Sequence, residues 1–183
     1  MTHDFDKDFK FSESPDADAL VRRACHRLVP GCCGVTRATP AEDRRGTDYW
    51  ITTARGRIGL DLKLRRKDYG AARGAAMDCV IELDGHGSSG WLMKPSAASL
   101  VMFACADTHR VAVFETRHVQ TAVMQNLSRW IANRSATELT TDSGRNGRTW
   151  KNYAVIVSAE LLTEAIDRLQ QGYGGAANDG AAR

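Results

Sequence analysis

Three side chains with complementary chemistry lie close together in this sequence. Asp48 opens a segment rich in β-branched and aromatic residues, and Asp61 and Lys63 stand two residues apart in the next segment. Two carboxylates on rigid strands can bind a hard divalent cation such as Mg²⁺, which prefers oxygen ligands and keeps several waters. Such a metal polarises a phosphoryl oxygen and activates a bound water, which a lysine can orient. The residue types therefore point to the hydrolysis of phosphate esters.

Two short strands joined by a tight turn are predicted to position these residues. The first strand is predicted over residues 48–53 and the second over residues 58–65, because β-branched and apolar residues dominate both. Gly56 supplies the positive φ that a turn between them requires. The second strand alternates, with one apolar face and one charged face: Leu60, Leu62 and Leu64 against Asp61, Lys63 and Arg65.

The register of this hairpin decides whether the three groups meet. If Arg55 and Gly56 form a two-residue turn, Asp48 pairs with Lys63 across the hairpin and Asp61 lies diagonally beside them. A glycine bulge would shift the register by one residue and turn Asp48 away. The simple register places two acids and one lysine on one patch of the sheet.

The hairpin resembles the signature of the PD-(D/E)XK nuclease superfamily, in particular its phage and mobile-element branch. In that family an acid at the start of one strand is followed by an acid, any residue and a lysine on the next. Asp48 matches the first acid and the run Asp61-Leu62-Lys63 matches the triplet. The resemblance covers roughly residues 17–167, with the hairpin as its specific part. The wider likeness includes the Gly-Thr-Asp-Tyr opening at 46–49, an apolar strand that ends in Glu82, and Gly90-Trp91.

Two positions depart from the family's pattern, and no upstream helical glutamate is obvious. Thr47 stands where the signature has proline, and Asp61 replaces the commoner glutamate. Four other acids are left open as extra metal ligands: Glu13, Asp16, Asp18 and Glu82.

The resemblance implies a nuclease that uses Mg²⁺ or Mn²⁺ to cleave nucleic acid, with DNA favoured over RNA. Asp48 and Asp61 would hold the metal, with the Leu62 carbonyl as a further ligand, and Lys63 would position the attacking water. Many proteins of this fold are dimers, so a homodimer is an open alternative. A catalytically inactive module that keeps the nuclease scaffold and binds nucleic acid or a partner protein also fits the same residues. An exposed Asp–Lys pair on an ordinary sheet face is the simplest alternative.

Basic residues are concentrated around the two acids. Residues 44–67 contain eight basic side chains against Asp48 and Asp61, whereas residues 1–19 are acidic. Such a basic segment is typical of a protein that binds a phosphate backbone. Four of its members are predicted to bind nucleic acid: Arg55, Arg57, Arg65 and Arg66.

The remaining pattern predicts an α/β fold with a mixed β-sheet flanked by helices, a restriction-endonuclease-like core with the hairpin at its centre. Asp16 or Asp18 is predicted to cap a first helix that starts near residue 17, and Ser158 to cap the last helix. Strands are predicted over 78–83, 99–105, 110–115 and 153–157, a helix from residue 116, and a polar loop over 132–148.

The chain of 183 residues is predicted to form one domain over residues 15–170. A flexible acidic lead-in is predicted over residues 1–14 and a disordered Gly/Ala-rich tail over residues 171–183. No run is long enough to cross a membrane, and the acidic N-terminus does not resemble a signal peptide. Together with five cysteines, an odd number that favours reduced thiols, these features predict a cytoplasmic protein.

Overall fold

The computed structural model describes residues 11–12, 14–85, 88–93, 96–145 and 148–175. The strands are β1 Cys32–Arg37, β2 Tyr49–Thr53, β3 Gly56–Arg65, β4 Asp78–Gly85, β5 Ser88–Ser89, β6 Leu100–Cys105, β7 Val111–Glu115, β8 Ala136–Arg145 and β9 Arg148–Ser158. The helices are α1 Pro15–Leu28, α2 Pro40–Asp43, α3 Tyr69–Ala72, α4 Thr116–Ala132 and α5 Ala159–Gly175, with a 3₁₀ turn at Trp91–Met93.

The first sheet contains the predicted hairpin at its centre. Its strand order is β1-β2-β3-β6-β7, in which β3 runs parallel to β6 and every other neighbouring pair is antiparallel. A parallel pair needs a long crossover connection, and the chain between β3 and β6 supplies it by building α3, β4 and β5. The predicted α/β class, with a mixed sheet flanked by helices, is confirmed.

The second sheet was not predicted. It has the order β5-β4-β9-β8 and is antiparallel throughout. Residues 132–148, expected to form a polar loop, instead supply the end of α4 and all of β8, which pairs with β9 from Ala136 opposite Val157 onward. Backbone hydrogen bonds to β9 stabilise β8 as a strand. Its sequence is polar, so it lacks the alternation of apolar residues from which a strand is predicted.

Both faces of the first sheet are covered. On one face α1 packs against residues of β1, β2, β3 and β6, with Val21, Ile51, Leu60 and Met102 fully buried. On the other face β6 packs against α4, α5 and the second sheet, around the buried indole of Trp130. Asp61, Lys63 and Arg65 belong to this second face, because side chains alternate along β3 and their β6 partners Val101, Phe103 and Cys105 lie in that core.

The helix ends differ from prediction at two points and agree with it at a third. Ser14 caps α1 by accepting the Ala17 N–H at 3.2 Å, so neither Asp16 nor Asp18 is the cap and the helix begins at Pro15. Ser158 caps α5 as predicted, accepting the Leu161 N–H at 3.1 Å. That helix continues to Gly175, past the predicted start of the disordered tail.

The rest of the tail, residues 176–183, lies outside the described residues, as do residues 1–10 and 13 of the predicted lead-in. None of the helices that the structure describes has both the length and the apolar character needed to cross a bilayer.

Candidate functional site

The β2–β3 hairpin has a register that was not predicted. Thr53 pairs with Gly56, so the two turn residues are Ala54 and Arg55, and the ladder ends where Tyr49 pairs with Leu60. Asp48 therefore lies level with Asp61 rather than opposite Lys63, and the predicted register is wrong by two residues. Because side chains repeat every two residues along a strand, a shift of two does not exchange the faces, and the charged face of β3 is unchanged.

Asp48 occupies the position where β2 stops pairing with β3. Its Oδ2 atom accepts the Leu62 backbone N–H at 2.6 Å, so the carboxylate takes the place of a strand neighbour at that edge. Burial, and after it the negative charge of Asp61, raises the pKa of Asp48 to about 7 against the opposing effects of the Leu62 hydrogen bond and the Lys63 charge. The two carboxylates are therefore close enough to repel each other.

Asp61 and Lys63 form an ion pair on the same face of β3. The Lys63 Nζ atom lies 2.8 Å from Asp61 Oδ1, with 27% of the lysine side chain and 8% of the aspartate side chain exposed. The amine also lies 5.2 Å from the centroid of the Trp91 ring. The ammonium group is thus held between a carboxylate and an indole, with partial access to solvent.

A tight contact between two chain segments forms one wall of the site. Gly59 is closely packed, because a Cβ there would lie 3.2 Å from Ala98 Cα and 3.3 Å from Thr47 Cγ2. Thr47 is buried, and its Oγ1 atom has no hydrogen-bond partner among the described residues. Ala98, in the segment before β6, and Thr47, just before β2, therefore both pack against β3 at Gly59.

Three of the four predicted nucleic-acid-binding arginines are exposed. Arg55 lies in the hairpin turn, Arg57 stacks its guanidinium 4.6 Å above the Trp50 ring, and Arg66 follows β3. All three lie at or beyond the ends of β3, so the hairpin presents positive charge at either end of the strand that carries Asp61.

Arg65, by contrast, is only partly exposed. Its guanidinium lies 5.3 Å from the Tyr69 ring, and its Nη1 atom is buried without a hydrogen-bond partner among the described residues. Burial raises the pKa of the Cys79 and Cys105 thiols, and the Arg65 charge opposes that rise. Arg65 is therefore less exposed than the other three arginines, and part of its guanidinium is covered by the protein.

Three of the four acids left open as extra ligands do not join Asp48 and Asp61 in the part of the chain that the structure describes. Asp18 accepts the Tyr49 hydroxyl at 2.7 Å and pairs with Arg37 at 3.3 Å, on the face of the sheet that α1 covers. Asp16 is exposed in the first turn of α1, and Glu82 is exposed on β4 of the second sheet. Glu13 lies outside the described residues.

Replacing Tyr49 with phenylalanine tests the structural role of Asp18. The hydroxyl bridges Asp18 and Arg37, which donates to it at 2.8 Å, so Tyr49→Phe is expected to lower the free energy of unfolding by about 1 kcal/mol. Urea denaturation measures the change. Tyr69→Phe, which removes a hydroxyl from a ring that is 50% exposed, is the matched control and is expected to be nearly neutral. Equal effects of the two substitutions would contradict the structural role.

The donor set fits a hard divalent cation bound through two carboxylates. Within the described ranges no group of three His, Cys, Asp or Glu side chains is arranged to hold a metal. Asp48 and Asp61 supply only oxygen donors, and a cation between them would remove the repulsion that raises the pKa of Asp48. Mg²⁺ is commonly held by one or two carboxylates while it keeps several waters, so these two residues are sufficient for it.

Sequence reasoning gave no role to two residues near the site. Trp91 was noted only as part of the Gly90-Trp91 pair, although its ring covers Lys63. The charge of Asp43 at the end of α2 also raises the pKa of Asp48. Neither effect could be predicted from the local sequence, because the fold brings both residues to the site from other parts of the chain.

Comparisons with protein-family models, with curated proteins and with solved structures found no match to this chain. The fold and the site together define an α/β protein that carries two carboxylates and one lysine on and beside the central strand of a mixed sheet. Any statement of function therefore depends on this geometry.

Proposed function

We propose that this protein is a metal-dependent nuclease that hydrolyses phosphodiester bonds in nucleic acid, with DNA as the favoured substrate. The observation that carries the proposal is the convergence of Asp48, Asp61 and Lys63, in which Asp61 both pairs with the lysine and raises the pKa of the other acid. Paired carboxylates with a neighbouring amine suit a reaction in which negative charge develops on a phosphoryl group.

Each residue has a distinct role in the proposed reaction. Asp48 and Asp61 hold Mg²⁺ or Mn²⁺, which when bound polarises a phosphoryl oxygen and lowers the pKa of a coordinated water. Lys63, oriented by Asp61, positions the attacking water and stabilises the charge that develops on the phosphate. The water oxygen loses a proton to solvent and forms a bond to phosphorus, while the bond from phosphorus to the leaving nucleoside oxygen breaks and that oxygen takes a proton from solvent.

The exposed arginines provide the proposed contacts with the nucleic-acid backbone. Arg55, Arg57 and Arg66 would neutralise phosphates on either side of the scissile bond, and the partly buried Arg65 would be a fourth, less exposed contact. The proposed location is the cytoplasm, where the five cysteines, all of them free, would stay reduced.

Cleavage assays with controlled metal content test the proposal. We expect the purified protein to cleave labelled single- or double-stranded DNA with Mg²⁺ or Mn²⁺ and to lose all cleavage in EDTA. Isothermal titration with Mn²⁺ should show binding to the wild type and to Asp167→Asn, which changes an exposed carboxylate on α5, but not to Asp48→Asn. A wild-type protein that neither binds Mn²⁺ nor cleaves any nucleic acid would defeat the nuclease proposal.

A non-catalytic module on the same scaffold is the second candidate function. Two observations favour it: the Lys63 amine is already engaged by Asp61, and the described residues offer two acids rather than three. Such a module would bind DNA in EDTA as tightly as in Mg²⁺, with an affinity that falls as salt rises. The Mn²⁺ titration separates the two candidates, because a binding module has no need of a metal at Asp48 and Asp61.

A further inference from the structure

We infer that Trp91 is a positioning residue that fixes the orientation of the Lys63 amine in the proposed nuclease site. This inference extends the proposed function. The indole lies 5.2 Å from Lys63 Nζ and Asp61 lies 2.8 Å from it, so the ammonium is restrained by two groups from two parts of the chain. Asp61 belongs to the same strand as the lysine, whereas Trp91 comes from the crossover that leads to β6.

The position of Trp91 is fixed by contacts with both sheets. Gly90, the preceding residue, donates its N–H to the Leu83 carbonyl at 3.0 Å, and a Cβ at Gly90 would lie 2.2 Å from the Glu82 carbonyl oxygen. Only glycine allows this approach to β4. On its other side the indole packs against Phe103 of β6, with ring centroids 6.2 Å apart and planes inclined at 56°.

Lysine needs such a restraint because its ammonium group ends a flexible four-carbon chain. A single ion pair at a site with partial solvent access leaves that chain several rotamers. An indole beneath the cation attracts it electrostatically and excludes water from one side, and tryptophan is the strongest aromatic partner for a cation. Loss of the ring should therefore reduce the fraction of molecules in which the amine is correctly aimed, with little change in nucleic-acid binding.

Comparison of Trp91→Leu with Trp91→Phe separates positioning from packing. Both substitutions shorten the side chain and keep it apolar, but only phenylalanine retains an aromatic face for the ammonium. We expect kcat to fall about tenfold in Trp91→Leu with KM nearly unchanged, and Trp91→Phe to retain most of the wild-type kcat. Equal kcat in the two variants at matched thermal stability, or a loss confined to KM, would overturn the inference.

An NMR measurement tests the same contact without relying on activity. The ε-methylene protons of Lys63, assigned by their absence in Lys63→Arg, should be shifted upfield by the ring current of Trp91 and should return to ordinary lysine values in Trp91→Leu. An unshifted Lys63 signal in the wild type would overturn the inference. A shifted signal in a wild-type protein that does not cleave would defeat the nuclease proposal and would support the positioning of Lys63 by Trp91.

Discussion

Asp61→Asn is expected to lower Mg²⁺-dependent cleavage by about a hundredfold or more while the protein stays folded. The amide keeps the shape of the carboxylate but removes its charge, so it binds a divalent cation poorly and no longer holds the Lys63 ammonium by an ion pair. Asparagine is a sharper test than alanine here, because Asp61 is only 5% exposed and truncation would leave a void beside the core. Single-turnover assays with excess enzyme measure the loss.

Two further variants make this result interpretable. Lys63→Met should reduce cleavage similarly, but it leaves the buried Asp61 without its partner, so its stability must be measured alongside its rate. Asp167→Asn, on the exposed side of α5, removes the same kind of charge from a position remote in the fold and should cleave at the wild-type rate. Wild-type cleavage by purified Asp61→Asn would show that the assignment of this acid is wrong.

Asp48→Asn is expected to become more stable relative to the wild type as pH rises from about 4 to about 7 without divalent metal. The pKa of Asp48 is raised from its ordinary value of 3.8 to about 7 in the folded protein by burial and by the charge of Asp61. Over that range the folded state holds a proton that the unfolded state releases. The stability that this proton contributes is therefore complete below about pH 4 and is lost as pH rises through about 7.

The difference in the free energy of unfolding between the two proteins is expected to change by about 2 kcal/mol over this pH range. This is less than the full pKa shift would contribute, because Asp48 has partial access to solvent. Urea unfolding of both proteins in EDTA at several pH values measures the difference between their free energies of unfolding. The contributions of all other titrating groups cancel in this difference. Adding Mn²⁺ at pH 8 should then stabilise the wild type and leave Asp48→Asn unchanged. A stability difference that stays constant from pH 4 to pH 8 would contradict this linkage.

The central hairpin could be predicted because its information is local. Alternation of leucines with charged residues identifies β3 and its two faces, and Gly56, with φ of 122°, marks the end of the turn. The register could not be predicted, because the turn sequence permits more than one pair of turn residues. The grouping of Asp48 with Asp61 did not depend on that choice, since the error was an even number of residues.

The features that the sequence did not reveal all depend on long-range packing. The division into two sheets arises in the crossover between β3 and β6, where β4 pairs with β9 rather than with a neighbour in the sequence. Arg65 has the same local pattern as Lys63, and that pattern does not predict that its guanidinium lies against the Tyr69 ring with one nitrogen buried. The raised pKa of Asp48 likewise arises from burial, which alternation alone does not predict.

The pairing of β3 with β2 ends earlier than its pairing with β6. The strand β3 continues along β6 as far as Arg65, whereas its pairing with β2 ends at Leu60 and the Asp48 carboxylate occupies the next backbone donor. Residues 62–65 of β3 are partly exposed, so in the proposed function a polyanion would reach the two acids along this stretch of the strand without displacing either core. The direction of entry would then follow from where a strand ends rather than from an open groove.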